Sequence, residues 1–395
     1  MRAVLPLLIF LLIPFAQAVN CGDWITQSVT LSEDLYCDSK YGLIIDGDNI
    51  VLDCQGYLIS NTYDSDGANL YLYHATNITI RDCVLNGTAR GIYMSGYYPA
   101  RDDLSYLAAT TIVNNTIHHA DYGIRIFDGQ NNTIANNTFY NTTLSAIHAS
   151  NAGDLNITGN KILSRGEPLG LGVSGRLIIT DNAINGTIAT QNRISDAESL
   201  LFARNTLRNC GDQLSLNYVP GAVIVNNTFL FVDDVGTGVM FSGVDGCGGA
   251  VIQNNRFITN YGGVDGINLG FVSDGIISQN NFSIMSFGIL TGGSNNVIEH
   301  NNFNLTNHFS GYDIGSNSWR ENYYAAYDEP NEGCNDADHN DVCDDPYPIS
   351  GWNNLDYSPF LFANGWLQSP PSGSPLFRKV FLIYQLACKE PPCSD

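Results

Sequence analysis

The stretch Ile112-Val113-Asn114-Asn115-Thr116-Ile117 decides the fold, because its pattern I-x-x-N-x-[I/F/L] returns repeatedly along the chain. The asparagine at the fourth position recurs as Asn137, Asn160, Asn182, Asn205, Asn227, Asn255, Asn280 and Asn301. From Asn115 onward, consecutive copies are 22, 23, 22, 23, 22, 28, 25 and 21 residues apart. Such even spacing is typical of a solenoid, in which each repeat adds one unit to a stack.

Short alternating segments lie between these units. Apolar residues separated by one position, such as Ile124/Ile126 and Leu214/Leu216, predict strands, and no segment has a helical period. We therefore predict an all-β right-handed parallel β-helix of about eleven coils of ~22 residues, each ~4.8 Å above the last. We expect the recurring asparagine to occupy a left-handed turn position and to form an amide ladder between coils. Cys54 and Cys83 occupy the ladder position in two earlier units.

The ends of the chain carry different signals from the repeat. Arg2, an apolar run and Ala16-Gln17-Ala18 predict a signal peptide that is cleaved after Ala18. The predicted organisation is a signal peptide (1–18), an N-terminal cap (19–49), the β-helix (50–315), a C-terminal cap with an Asp-rich loop (316–364), and a linker and tail (365–395). Residues 97–108 are an insertion that lengthens one coil.

Composition limits the compartment and the partners. With 17 Lys+Arg against 39 Asp+Glu, the net charge of −22 argues against nucleic acid and anionic membranes as partners. We expect a secreted protein, extracellular, periplasmic or on the cell surface, without a transmembrane anchor. In that oxidising space the 10 cysteines should mostly pair. Nearest-neighbour pairing predicts Cys21–Cys37, Cys54–Cys83, Cys334–Cys343 and Cys388–Cys393, which leaves Cys210–Cys247.

Motifs near the two ends carry a family resemblance. They are Val51-Leu52-Asp53-Cys54-Gln55-Gly56, Asn322-Tyr323-Tyr324, the run from Asp336 to Ile349, and Asp356-Tyr357-Ser358-Pro359. The chain resembles the NosD-like right-handed β-helix proteins, which are periplasmic or surface proteins common in archaea. They share the carbohydrate-binding and sugar-hydrolase (CASH) type of pectin-lyase-like β-helix. Tyr324 replaces a tryptophan of the family pattern, and His339 and Asp341 replace glycines.

That resemblance implies the fold and several possible roles. The family name refers to copper supply, but the chain has only 4 methionines, so we do not transfer a copper role.

The Asp-rich loop of the C-terminal cap has the pattern of a calcium loop. Asp336, Asp338, Asn340 and Asp344 supply oxygens at alternate positions, with the Val342 carbonyl between the last two. We predict one structural Ca²⁺ there, with a solvated acidic loop as the alternative. The loop resembles thrombospondin-type and truncated EF-hand loops, because Tyr347 stands where a full EF-hand has a bidentate glutamate.

Sequons are abundant, partly because the ladder motif itself favours N-N-T. We expect glycosylation only where the asparagine faces outward. The sequons begin at Asn77, Asn86, Asn114, Asn131, Asn136, Asn141, Asn156, Asn185, Asn226, Asn281 and Asn304.

The residue between each pair of apolar residues should point outward and form a column up the stack. The predicted column is Tyr71, Tyr93, Arg125, His148, Gly172, Ser215, Met240, Asn268, Leu290 and Asp313. Its N-terminal half is aromatic and then basic, with Asp121 and Asp128 flanking Arg125. Tyrosine rings stack on sugars and arginine fixes hydroxyls or carboxylates, so we predict carbohydrate binding by Tyr71, Tyr93, Arg125, His148 and Asp128. The alternative is that outward strand positions simply favour such residues.

Catalysis is the second hypothesis, as a polysaccharide lyase, hydrolase or epimerase. The candidates are Asp121, Arg125, His148, Asp233, Asp234 and Asp265. Asp233 and Asp234 are adjacent and point to opposite sides of a strand, and the N-T-D, G-H-G and R-I-K motifs of polygalacturonases are absent. The third hypothesis is a rigid structural or assembly protein without an active site.

Overall fold

The chain forms a right-handed parallel β-helix of about 12 turns, which confirms the predicted fold class. The computed structural model describes residues 18–63, 66–87, 89–95, 107–187, 190–232, 236–242, 248–260, 262–304 and 309–367. Each coil contributes a strand to three parallel sheets, here called A, B and C in chain order. Within the described ranges, sheets A and B are joined into one 30-stranded sheet, and sheet C has 13 strands.

The strands of sheet A form the face that the sequence singled out. They are Trp24–Ile25, Tyr41–Asp48, Ala68–Thr76, Arg90–Ser95, Leu107–Ala108, Tyr122–Phe127, Gly129–Gln130, Ser145–Ala152, Glu167–Val173, Arg193–Ser195, Leu214–Asn217, Thr237–Phe241, Asp265–Asn268, Phe287–Thr291, Phe309–Asp313 and Tyr347–Gly351.

Sheets B and C complete the coil. Sheet B contains Val29–Thr30, Val51–Asp53, Thr79–Arg81, Thr111–Val113, Asn132–Ala135, Leu155–Thr158, Arg176–Thr180, Ser199–Ala203, Val223–Val225, Val251–Gln253, Ile276–Ser278, Val297–Glu299, Ser318–Arg320 and Asn354–Asp356. Sheet C contains Leu35–Cys37, Leu58–Asn61, Val84–Gly87, Thr116–His118, Thr138–Thr142, Lys161–Ser164, Ala183–Asn185, Thr206–Arg208, Thr228–Leu230, Arg256–Ile258, Asn281–Ser283, Asn302–Asn304 and Tyr323–Tyr324. A short 3₁₀ helix, Gly365–Leu367, ends the described chain.

The interior consists of apolar side chains stacked in columns along the helix axis. On sheet C, Phe229, Phe257, Phe282 and Phe303 lie nearly parallel, with ring centroids 4.8, 4.9 and 5.0 Å apart. Glycines on sheet A let the backbone lie close to these rings, since a Cβ on Gly266 would lie only 2.6 Å from the Phe282 ring. This phenylalanine stack therefore fixes the order of the rings and the register of each coil on the next.

The predicted asparagine ladder is present between sheets B and C. Asn182 is typical: its Nδ2 donates to Asn205 Oδ1 at 3.0 Å and to the Ile157 carbonyl at 2.9 Å. Its backbone N–H also donates to Asn205 Oδ1, at 2.9 Å. Each ladder amide thus links three coils and leaves no buried donor of its own unsatisfied.

The left-handed residue is not the ladder asparagine, and that part of the prediction is wrong. Positive φ values occur one position earlier, at Asn114 (57°), Asn136 (55°), Asp181 (60°) and Arg204 (57°). The chain turns at this exposed residue, and the following asparagine then points its amide inward. Residues other than asparagine can occupy the turn, at some cost in backbone strain.

The two ends of the ladder are closed by different chemistry. At the N-terminal end the Cys83 N–H donates to Asn115 Oδ1 at 2.9 Å, and Cys83 is disulfide-bonded to Cys54 in the coil below. At the C-terminal end Asn322 Nδ2 donates to Asp356 Oδ2 at 2.9 Å. Asp356 is fully buried and also accepts the Tyr324 hydroxyl at 3.0 Å.

Asn322, Tyr324 and Asp356, which belong to the family motifs near the C-terminus, therefore have a structural role. Tyr324 extends the aromatic stack, 5.2 Å from Phe303 and 3.8 Å from Tyr347. Burial and the neighbouring Asp356 carboxyl raise the pKa of the Tyr324 hydroxyl well above its usual value, so this hydroxyl stays protonated and acts as a donor.

Within the described residues, the predicted pairs Cys21–Cys37, Cys54–Cys83 and Cys334–Cys343 are disulfide-bonded, with Cα atoms 5.4, 4.7 and 4.9 Å apart. The predicted Cys210–Cys247 bridge is wrong, because Cys210 is a free cysteine. Its thiol points into the coil, where Asn192 Nδ2 lies 3.5 Å from Sγ, and burial raises its pKa to about 11. Cys247, Cys388 and Cys393 lie outside the described residues.

Candidate functional site

Four of the predicted residues form one outward column on sheet A. Tyr93 pairs with Tyr71 in the strand before it and with Arg125 in the strand after it, and Arg125 pairs with His148. The Tyr71 and Tyr93 rings are stacked with centroids 5.3 Å apart. We call these four residues the aromatic–arginine column.

The column continues differently from the prediction beyond His148. The register partner of His148 in the next strand is Gly170, not Gly172 as predicted. Gly170 in turn pairs with Arg193 in the strand after that. Both glycines lie between apolar neighbours in Glu167–Val173, so alternation alone could not choose between them. Ser215, Met240, Asn268 and Leu290 then follow as predicted.

The C-terminal end of the predicted column is also wrong by one residue. Leu290 pairs with Tyr312, whereas Asp313 points into the core and is fully buried. There the Asp313 carboxylate accepts the Trp319 indole N–H at 2.8 Å. Asp313 is thus a satisfied structural carboxylate.

The N-terminal end of the column is wider than the sequence indicated. Tyr41 stacks on Tyr71 with centroids 4.4 Å apart, and Trp24 packs edge-on against Tyr73 at 5.7 Å. Trp24 is 56% exposed. Trp24 and Tyr41 belong to the segment predicted as the N-terminal cap (19–49). That segment carries no ladder motif, so the repeat could not align these two residues with the column.

Arg125 is held between two aromatic rings. Its guanidinium carbon lies 4.5 Å from the Tyr122 ring centroid and 4.7 Å from that of Phe127. Its Nε is buried and has no hydrogen-bond partner in the described structure. Arg90 lies over Tyr93 at 4.6 Å and pairs with Asp66 at 3.2 Å. Stacking fixes the Arg125 side chain while leaving its charge available for an acceptor from outside.

Asp121 and Asp128 do not form the predicted carboxylate flank. Asp121 accepts the Thr143 hydroxyl, and Asp128 accepts the Asn151 amide, both in the neighbouring coil. Among the described residues, Arg125 forms no ion pair with either carboxylate. Both aspartates therefore stabilise turns.

His148 and Glu167 lie where the column passes over Gly170. Burial, and to a smaller extent the charge of Arg125, lower the pKa of His148. Burial raises the pKa of the Glu167 carboxyl, against an opposing effect of Arg193. Glu167 could not be predicted from the sequence, because it lies at the start of its strand and not between two apolar residues.

The remaining catalytic candidates do not join this group. Asp265 is on the same sheet, but five coil steps separate its strand from that of His148, or roughly 24 Å. Burial raises the pKa of its carboxyl. Asp233 and Asp234 lie outside the described residues, as does most of the 97–108 insertion.

The Asp-rich loop is exposed and folded around its own backbone amides. Asp336 accepts the N–H groups of Asn340 and Asp341 at 3.0 and 3.1 Å, and Asp344 accepts that of Ala337 at 2.8 Å. Asp338 accepts the Asn340 side-chain amide at 3.0 Å. Across the described ranges, no three His, Cys, Asp or Glu side chains are grouped closely enough to hold a metal ion. The Ca²⁺ site, including the Val342 carbonyl, stays a prediction.

Three of the sequons overlap the asparagine ladder, which decides which asparagine of each is exposed. Asn114, Asn136 and Asn226 occupy the exposed left-handed position, and the buried ladder asparagine is the middle residue of the same sequon. The structure thus presents the first asparagine to solvent and hides the second.

Comparison with known proteins agrees with the fold. Residues 41–186 match a family described as the right handed beta helix region. The fold and this match together define the chain as a right-handed parallel β-helix. A search of curated proteins gives no match. No helix in the described part of the chain has the length and hydropathy to cross a membrane.

Solved structures of similar fold are distant. A surface adhesin of Streptococcus pneumoniae is 13% identical, with a TM-score of 0.37, over 71% of this chain and 84% of that one. A mannuronic acid specific polysaccharide family 6 lyase from human gut microbiota is 14% identical, with a TM-score of 0.32, over 78% and 75%. Tailspike protein 2 of Escherichia coli O157:H7 bacteriophage CAB120 is 14% identical, with a TM-score of 0.30, over 62% of this chain and 38% of the tailspike.

Proposed function

We propose that the protein binds an acidic polysaccharide or surface glycan along the aromatic–arginine column of sheet A. One observation carries this proposal: the stacked tyrosines lead directly to Arg125, which two aromatic rings hold in place and which forms no ion pair with a described carboxylate. An acidic ligand would supply the counter-charge that this guanidinium lacks.

The chemistry of the column suits a sugar chain lying along the helix axis. Tyr41, Arg90 and the two tyrosines themselves cover the ring faces of Tyr71 and Tyr93, so these tyrosines offer ring edges to a sugar chain. The planar guanidinium of Arg125 matches a carboxylate or a pair of hydroxyls. Because the column repeats at the ~4.8 Å strand spacing, an extended polymer can contact several coils at once.

The proposed setting is outside the cytoplasm. Disulfides form and persist in oxidising compartments, and the described residues contain three. We propose a secreted, periplasmic or cell-surface protein, in keeping with the glycan ligand.

Isothermal titration with polygalacturonate, alginate and neutral dextran tests the proposal. We expect binding of an acidic polymer, weakened about 10–100-fold in Arg125→Gln, because a charge-assisted hydrogen bond contributes ~1.5–3 kcal/mol. Tyr93→Ala should also weaken binding. Tyr140→Ala is the matched control, since Tyr140 is outward on sheet C and stacks on His118. Equal affinities for all the variants, or no binding, would favour a rigid structural protein instead.

A further inference from the structure

A buried cysteine and a buried glutamine lie three residues apart at the corner between sheets C and A. Cys210 follows the sheet C strand Thr206–Arg208, and Gln213 directly precedes the sheet A strand Leu214–Asn217. Cys210 is a free cysteine and is 3% exposed, and Gln213 is fully buried. The corner thus contains a thiol and a carboxamide that are both shielded from water.

Two shared contacts place these two side chains next to each other. Asn192 Nδ2 lies 3.5 Å from Cys210 Sγ and donates to the Gln213 backbone carbonyl at 2.8 Å. The Leu230 carbonyl accepts Gln213 Nε2 at 2.8 Å, and it also accepts the backbone N–H of Asn209, the residue before Cys210. The glutamine amide therefore turns back across the corner towards the cysteine.

The amide oxygen of Gln213 is not satisfied. Gln213 Oε1 and Asn192 Oδ1 are buried and have no hydrogen-bond partner in the described structure. An unpaired buried amide oxygen is costly, because an amide carbonyl is a strong acceptor. A thioester carbonyl is a weaker acceptor, since sulfur donates less electron density to it than nitrogen does. Loss of the Gln213 nitrogen would still leave the Leu230 carbonyl with the Asn209 N–H as its donor.

We propose that Cys210 and Gln213 form an internal thioester, which makes this corner a protected acyl donor towards a primary amine or an alcohol. The proposal does not depend on glycan binding, because the aromatic–arginine column is on the outward side of sheet A and this corner is buried.

The step balances without an oxidant or a reductant. Cys210 Sγ attacks Cδ, the side-chain carbonyl carbon of Gln213. The S–C bond forms as the C–N bond breaks, the thiol proton passes to the leaving nitrogen, and one ammonia molecule is released. An amine or an alcohol that later attacks the same carbon becomes covalently attached to Gln213, and the Cys210 thiol is regenerated.

Burial of the thiol suits the product of this step. Burial raises the pKa of Cys210 to about 11, against the opposing effects of donors from Gly186 and Asn192. A thiolate is therefore disfavoured here, whereas the sulfur of a thioester carries no charge and is not penalised by burial. The formation of the bond can be slow, because it occurs once in each molecule. The same exclusion of water protects the thioester from hydrolysis.

Two substitutions remove the bond and keep the fold. Cys210 lies two residues after Arg208, as the buried Ala120 lies two residues after His118 on the same sheet. Cys210→Ala should therefore be accommodated. Gln213→Met keeps the length of the side chain and removes the amide.

The matched control is the glutamine at the equivalent position one coil earlier. Arg193 pairs with Ser215, so Gln191 is the register equivalent of Gln213. The Gln191 side-chain amide donates to Asp212 at 2.8 Å. Gln191→Met should therefore leave the thioester in place.

The experiment maps peptide masses of the full chain, unfolded in urea without reductant and labelled with N-ethylmaleimide. In the wild type and in Gln191→Met, the peptide with residues 210–213 should be lighter by one ammonia molecule and carry no label at Cys210. Cys210→Ala and Gln213→Met should show the full mass of their sequences. An asparagine succinimide also lacks one ammonia molecule, but that loss would persist in Cys210→Ala.

Methylamine tests the reactivity of the acyl group. In urea it should convert Gln213 to the N-methylamide and release a Cys210 thiol that reacts with N-ethylmaleimide. In the native protein this reaction should be at least ~100-fold slower, because Cys210 is 3% exposed and the coil must first open.

The thioester is overturned if Cys210 takes the maleimide label in urea before methylamine is added and Gln213 has its full mass. A disulfide between Cys210 and any other cysteine overturns it as well. Either result leaves the glycan-binding proposal intact, since that proposal is tested separately by titration.

Discussion

Replacing one ladder asparagine by alanine tests the central energetic claim about the stack. In Asn137→Ala, the Asn115 N–H loses its acceptor, Asn137 Oδ1, which lies 2.9 Å away. The Ile112 carbonyl loses a donor at 2.8 Å, and Asn160 Oδ1 loses one of its two donors. Asn137 is only 1% exposed, so water cannot easily replace these partners.

The expected loss follows from that inventory. An unsatisfied buried donor costs about 1–3 kcal/mol, and the two weakened acceptors add to it, so we expect a total of about 3–5 kcal/mol. The matched control is Asn136→Gly, one residue earlier. Asn136 is exposed and left-handed, with φ of 55°, so glycine should change stability by less than about 1 kcal/mol.

Two measurements are needed, because a long solenoid need not unfold in one step. Urea unfolding compares the midpoints of the two variants, and amide hydrogen exchange reports the opening of the coil itself. In Asn137→Ala the Asn115 amide should exchange much faster than in the wild type. If Asn137→Ala and Asn136→Gly shift the midpoint equally, and Asn115 stays protected, the ladder is not a source of stability.

Three further predictions concern the C-terminal cap. Asp356→Asn should destabilise the fold by about 1–3 kcal/mol, although asparagine is the residue type of the ladder. Both carboxylate oxygens of Asp356 accept hydrogen bonds, and an amide would turn one of them into an N–H group that faces other donors. A thermal melt equal to that of the wild type would contradict this. We propose that the Asp-rich loop binds Ca²⁺, so millimolar calcium should raise the melting temperature and EDTA lower it, and Asp338→Ala should abolish the difference; identical melts with and without calcium in the wild type would exclude the site. His339→Gly should stabilise the cap by about 0.5–1 kcal/mol, since His339 has φ of 58° where the family pattern has glycine. Differential scanning calorimetry compares it with the matched Ala337→Gly variant, and equal melting temperatures of the two variants would show that the turn is unstrained.

The repeat made the fold predictable, because one spacing carried three independent signals: the buried asparagine, the flanking apolar residues and the alternating strands. The left-handed position could not be located within it. Asn114 and Asn115 are the same residue type, and only units such as Arg204-Asn205 separate the turn residue from the ladder residue.

The candidate site was predictable only in part. The sequence aligned Tyr71, Tyr93, Arg125 and His148 because each lies between two apolar residues. It could not find Glu167, whose carboxyl reaches the column from the start of its strand and is placed there by side-chain direction rather than by sequence spacing.

The ladder also determines how the molecule should come apart under force. Its coils are about 22 residues long, as between Asn160 and Asn182, so a pulled end should peel away in steps of roughly 75 Å of released chain. When the N-terminus is pulled, the Cys54–Cys83 bridge, with a sequence separation of 29, prevents the chain between the two cysteines from extending until the disulfide is reduced. From the other end the corresponding closure is the non-covalent bond to Asp356. The Cys334–Cys343 bridge closes a short loop of the C-terminal segment, with a sequence separation of 9, and does not join two ladder coils. The stack should therefore unwind preferentially from its C-terminal end.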